Sequence, residues 1–250
     1  MIYFNDIHIL WYVAIGILGM AIGELTHVAI ERLPKSKKIL EKNIIKEYKG
    51  KMQPSYCLMI ITAILYIAIL YTCGIQKEIM SNITLVKYLV LTPMIVSAFV
   101  IDYKLQIIPN RLNLTIFETG LIFTFLYGIT NINLAINMLL GMIAGAGIFL
   151  IITLVGGAIA GKEAMGFGDV KLMGGLGLYF GLSGIIALAL IAFLIGAVCS
   201  VVLLLAKIKK TDEYIPFGPF IVISAFVMIF VPFDIILIVL LKIFTLGMYQ

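Results

Sequence analysis

Eight stretches of mainly apolar sequence, separated by short charged or proline-containing breaks, constrain this chain more than any other feature. They fall at 7–30, 56–75, 85–101, 113–130, 135–160, 170–183, 184–206 and 216–233. A run of roughly 18 or more apolar residues can cross a hydrocarbon core about 30 Å thick. Inside that core every backbone N–H and C=O must find its partner within the protein, which selects helices or a closed barrel. A barrel would need short alternating segments, and none occur. The expected fold is therefore all-α: a polytopic transmembrane helix bundle of about eight spans, forming one membrane domain over residues 1–250. The apolar tail 234–250 reads either as a ninth partial span or as an interfacial helix.

Charged residues make up only 12% of the sequence against 62% hydrophobic, so the placement of the few charges sets the orientation. Of the 18 Lys and Arg, all but Lys77, Lys87 and Lys242 fall in 31–55, 102–112, 161–169 and 207–215 or at Lys171. The positive-inside rule then puts those four loops in the cytoplasm, with 31–55 as a basic cytoplasmic loop, and leaves the N-terminus outside. The net charge of +5 reflects this asymmetry, so lipid and not nucleic acid is the expected environment. The first apolar segment has no basic leader before it and is expected to remain as a span. Trp11 and Tyr12 suit an interfacial anchor near its outer end.

The weakest span is 170–183, whose 14 residues rise about 21 Å. Taken together, 170–206 would make a helix about 55 Å long, too long for one crossing. Two crossings joined at Gly181-Leu182-Ser183-Gly184 are expected instead. Glycine pairs at four-residue spacing, Gly19 with Gly23, Gly141 with Gly145 and Gly177 with Gly181, suit close helix packing. Cys57, Cys73 and Cys199 form no CxxC pair and are expected to be small buried thiols, neither bridged nor zinc-binding.

Two acids stand at the ends of apolar segments: Asp102 in VIDYKLQIIPN and Asp169 in GFGDVK. Acids next to a membrane span are costly and therefore functional suspects. Each alone has a plain explanation. Asp102 can face water, and Asp169 can cap the helix that follows it. Two spans separate them, an even number, so both emerge on one face, the cytoplasmic one. Paired carboxyls supply what peptide hydrolysis needs, one taking a proton from water while the other donates one to the carbonyl oxygen. The glycines of GFGD let the backbone bend closely around a substrate strand. Lys162 and Glu163 read as solvated loop charges. GGAIAGK, at 156–162, approaches a phosphate-binding loop, but Glu163 stands where Ser or Thr is required and no strand precedes it.

Four stretches resemble the type IV prepilin leader peptidases, membrane aspartyl proteases of the GxGD kind: GELTHVAIERLP (Gly23–Pro34), DYKLQIIPNRLN (Asp102–Asn113), GKEAMGFGDVKLMGGLGLYFG (Gly161–Gly181) and IPFGPF (Ile215–Phe220). The resemblance implies an aspartic endopeptidase whose core is 56–250. Such an enzyme removes a short basic leader from type IV prepilins or pseudopilins, cutting after a glycine at the cytoplasmic face of a bacterial plasma membrane. It implies Asp102 and Asp169 as catalytic residues. Gly166, Phe167, Gly168, Lys171, Pro109, Pro216 and Gly218 would shape the site or meet substrate. Many members also methylate the new N-terminus with S-adenosylmethionine, and the resemblance places that activity near Glu24, His27 and Arg32. Proteolysis itself requires no cofactor. Many relatives carry two CxxC pairs in the first loop, whereas 31–55 here contains no cysteine, so neither zinc nor another metal is expected. A preflagellin-type peptidase of the same fold is the neighbouring alternative. A proton-coupled transporter is the alternative of another class, although its acids would be expected near the bilayer midplane on repeated, broken helices. Neither the pilin substrate nor the oligomeric state follows from the sequence.

Overall fold

The computed structural model describes residues 3–4, 7–35, 55–77, 79–161, 165–206 and 215–244. Most of the basic loop 31–55, Lys162, Glu163, the lysines of 207–210 and the last residues of the tail lie outside the described residues. The elements are two short antiparallel strands, β1 (Tyr3–Phe4) and β2 (Ile7–His8), and the helices α1 (Ile9–Arg32), α2 (Tyr56–Cys73), α3 (Ile79–Leu105), α4 (Asn110–Thr130), α5 (Ile132–Ala160), α6 (Phe167–Leu205), α7 (Gly218–Phe230) and α8 (Phe233–Phe244). Six of these, α1 to α6, are long and apolar enough to cross a membrane. The chain divides into two compact units, residues 1–101 and 102–250.

In the first unit, α1 lies almost backbone to backbone on α2. A Cβ on Gly19 would fall 2.7 Å from the Ala63 Cα, and one on Gly23 would fall 2.7 Å from the Met59 Cα. The Thr62 hydroxyl donates to the Gly19 carbonyl at 2.8 Å, a bond that only this close approach permits. Pro93 sits inside α3 and brings no N–H, so the Leu89 carbonyl loses its helical partner. The Tyr66 hydroxyl of α2 replaces it at 2.8 Å.

In the second unit, α5 packs on α6 through the glycines. A Cβ on Gly141 would fall 2.5 Å from the Gly181 carbonyl carbon and 2.6 Å from the Gly177 carbonyl oxygen. At Gly181 the backbone takes φ 70° and ψ −176°, outside any helix and open to glycine alone at little cost. The chain reverses there. Gly145 of α5 faces both Met173 and Ile185, from opposite sides of that break. Further along α5, Phe149 stacks near Phe193, with ring centroids 5.4 Å apart. The Asn137 side-chain oxygen accepts from the Leu182 N–H at 3.2 Å and so caps the second arm where it begins. Two arms, 167–180 and 182–205, thus meet at the glycine where the sequence placed the joint.

Boundaries differ from expectation at three places that matter. α3 continues four residues past Ile101, so Asp102 lies in its last turn and not in a loop. The helix stops at Gln106, whose φ of 55° turns the chain and whose N–H closes on the Asp102 carbonyl at 2.8 Å. α6 begins at Phe167, so Asp169 is already helical. The tail forms the 12-residue α8, about 18 Å long and too short to cross, with Ile236 and Leu240 packed near Ala187. The cysteines correct the sequence reading: Cys57 is exposed, and Cys73 and Cys199 are partly so. On an apolar span the protein's outer surface is as hospitable to a thiol as its core, so apolar surroundings in sequence do not imply burial.

Candidate active site

IPFGPF opens α7 at Gly218, after the partly buried Ile215, Pro216 and Phe217 and with Pro219 in the first turn. Proline there presets the helical φ, and the first N–H groups of a helix have no partner within it. One of them, on Gly218, donates to Asp102 Oδ2 at 2.9 Å. Glycine is required for the approach, because a Cβ at 218 would fall 2.6 Å from that oxygen. Gly218→Ala is therefore expected to push the carboxylate aside. Any reaction at Asp102 should slow by about 10²-fold, the scale of a misplacement near 1 Å, with little change in thermal stability. Full activity in that variant would remove Gly218 from the site.

Asp169 occupies the third helical position of α6, after Gly166 as the N-cap. Its carboxylate interacts with the Gly166 N–H, half of a capping box. Capping thus accounts for part of this acid but not all of it. Oδ1 is buried with no hydrogen-bond partner. Asp102 is 3% exposed and Asp169 4%, and the two carboxyls lie within electrostatic reach of each other. Parity of the spans placed them on one face; the fold brings them to one site.

The turn carrying Asp169 is held from α4. The Asn113 amide donates to the Gly168 carbonyl at 3.0 Å, while Ile108 packs where a Cβ on Gly168 would sit, 3.1 Å away. The Lys171 ammonium donates to Asn110 Oδ1 at 2.7 Å. Pro109 is the N-cap residue of α4 and starts the helix that carries both asparagines. Phe167 is exposed at the start of α6, and Pro216 is partly buried ahead of α7. Sequence reasoning missed Asn113, although two asparagines in IPNRLN, close behind Asp102, were the available signal. Like Asp169, Asn113 keeps a buried side-chain oxygen without a partner.

Glu24, His27 and Arg32 belong to the other unit, on the C-terminal half of α1. Glu24 Oε1 lies 3.4 Å from His27 Nδ1, and Oε2 accepts from the Ser55 N–H at 3.3 Å. Arg32 is buried there. Among the described residues no three His, Cys, Asp or Glu side chains are grouped as metal ligands.

Residues 89–201 match the type IV leader peptidase family. The chain is 30% identical over 139 residues to the prepilin leader peptidase/N-methyltransferase of Aeromonas hydrophila, covering 56% of this chain and 47% of that protein. Over 143 residues it is 34% identical to the protein of the same name from Xanthomonas campestris pv. campestris, covering 57% and 48%. A longer alignment, 26% identical over 259 residues, joins it to the Pectobacterium carotovorum subsp. carotovorum protein of that name, covering 86% and 91%. The chain thus spans about half the length of the first two relatives. No solved structure matches it.

Proposed function

From the match of residues 89–201 to the type IV leader peptidase family, we propose that the chain is a membrane aspartyl endopeptidase. It removes the basic leader from type IV prepilins or pseudopilins, cutting after a glycine. The observation that carries this reading is that two buried aspartates, Asp102 and Asp169, 67 residues apart in sequence, come within electrostatic reach of each other. Two carboxyls within electrostatic reach of each other do not both ionise readily, so the proposed pair works with one ionised and one protonated. The ionised one takes a proton from water as the water oxygen bonds to the scissile carbonyl carbon, and the protonated one donates to the carbonyl oxygen. Collapse of the resulting tetrahedral intermediate breaks the C–N bond, and the leaving amine receives a proton. No covalent enzyme intermediate is needed.

The lysine and arginine asymmetry orients this site toward the cytoplasm, where a basic leader would be retained. Acids at helix ends favour hydrolysis over proton-coupled transport, whose acids are expected near a bilayer midplane. The test is direct: the purified chain in detergent or lipid should shorten a prepilin, read by mass at the junction after glycine. An unshortened prepilin would remove the reading.

The relatives' second activity, N-methylation, is proposed to involve Glu24, His27 and Arg32. Glu24 and His27 are only partly buried and place a carboxylate beside an imidazole, chemistry that suits a cationic donor such as S-adenosylmethionine. When bound, that donor would supply a methyl group to the new amine. With the donor present, a product N-terminus heavier by one methylene is the expected result, and an unchanged mass would remove this second activity.

A further inference from the structure

α4, α5 and the first arm of α6 enclose a groove of about 660 Å³. Leu114, Phe117, Met142 and Ile143 make it apolar, and Ala146 with Gly174 leaves its wall without bulk. Its polar residues, Asn110, Asn113 and Lys171, all come from the N-terminal ends of α4 and α6. The groove adjoins the candidate active site. Val170, next after Asp169, lines it, and so does Asn113, which also holds the Gly168 carbonyl.

We propose that this groove seats the apolar segment of the substrate that follows the scissile bond, with Asn113 Oδ1 accepting from a substrate backbone N–H beside that bond. The proposal rests on the peptidase reading above. An apolar segment lying between spans satisfies its backbone by being helical. A peptide bond inside a helix is shielded by its own hydrogen bonds, so the residues presented to the acids must leave the helix. Each N–H freed in doing so is costly if left unpaired. Asn113 lines the groove, and its Oδ1, buried and without a partner, is an acceptor that such an N–H would satisfy once the segment is seated. A lipid chain would fill the apolar length but offers no donor to that oxygen. The polar end, where Lys171 is bonded to Asn110, places the acid-proximal end of the segment nearest the charged surface.

The experiment uses the full chain as Asp169→Asn, so that substrate is held uncut, with a photoreactive amino acid at position 114, 143 or 129. Leu114, Ile143 and Ile129 are all exposed, and Ile129 lies at the other end of α4 and does not line the groove. Adducts to the hydrophobic segment of a prepilin are expected from 114 and 143 and not from 129. Alongside, Ile143→Trp in the otherwise unaltered chain should raise KM about tenfold with a much smaller change in kcat, the pattern of lost ground-state binding. Cleavage by the unmodified chain with adducts to lipid alone, or with equal adducts from 129, would overturn the groove and leave the peptidase reading standing. Failure of the unmodified chain to cleave would overturn both.

Discussion

Asp102→Asn and Asp169→Asn should each lower cleavage of a prepilin by about 10³-fold or more, the range expected when an essential acid or base is removed. The substitution keeps shape and polarity. At position 102 the side-chain oxygen can still accept from the Gly218 N–H, so the loss would be chemical and not structural. Thermal unfolding of both variants should stay close to that of the unaltered chain. The double variant should be no worse than either single one, because two groups that share a proton act as a unit. Cleavage retained by either single variant would break the pairing.

The second large effect concerns the frame on which Asp169 is mounted. Gly141→Val and Gly177→Val should each destabilise the 102–250 unit by at least about 3 kcal/mol, at the severe end of overpacking. At Gly141 the new Cβ would fall 2.5 Å and 2.6 Å from backbone atoms of Gly181 and Gly177, which cannot swing away as a side chain can. A Cβ on Gly177 would meet the backbone of Gly141 in the same way. Gly147→Val is the internal control, since nothing lies within 4 Å of the Cβ it would add. The check is thermal denaturation of purified protein in detergent. Equal midpoints for the Gly141 and Gly147 variants would refute the account of the packing.

Much of this frame was legible in the sequence, because length and apolarity decide which segments can be spans and parity decides which ends meet. The joint at 181–184 followed from arithmetic on helix rise, and the paired acids from counting. Other features are properties of three-dimensional approach. Glycines at 174, 175, 177, 181 and 184 look alike as letters, yet only Gly181 takes a positive φ and reverses the chain. The extension of α3 beyond Ile101 was hidden because charge ends an apolar run without ending a helix. Asp102 is polar in composition and still belongs to the last turn. Asn113 resembled an ordinary helix-start residue, and its bond to Gly168, 55 residues on, has no local signature.

The bond between Asp102 and Gly218 spans 116 residues and joins the last turn of α3 to the first turn of α7. A chain still under synthesis therefore holds both aspartates well before it holds the amide that fixes one of them. Under the proposed activity, competence arrives late and nearly all at once, when the segment around residue 218 has emerged and docked. Unfinished copies inserted beside pilin precursors would contain the acids without being finished proteases.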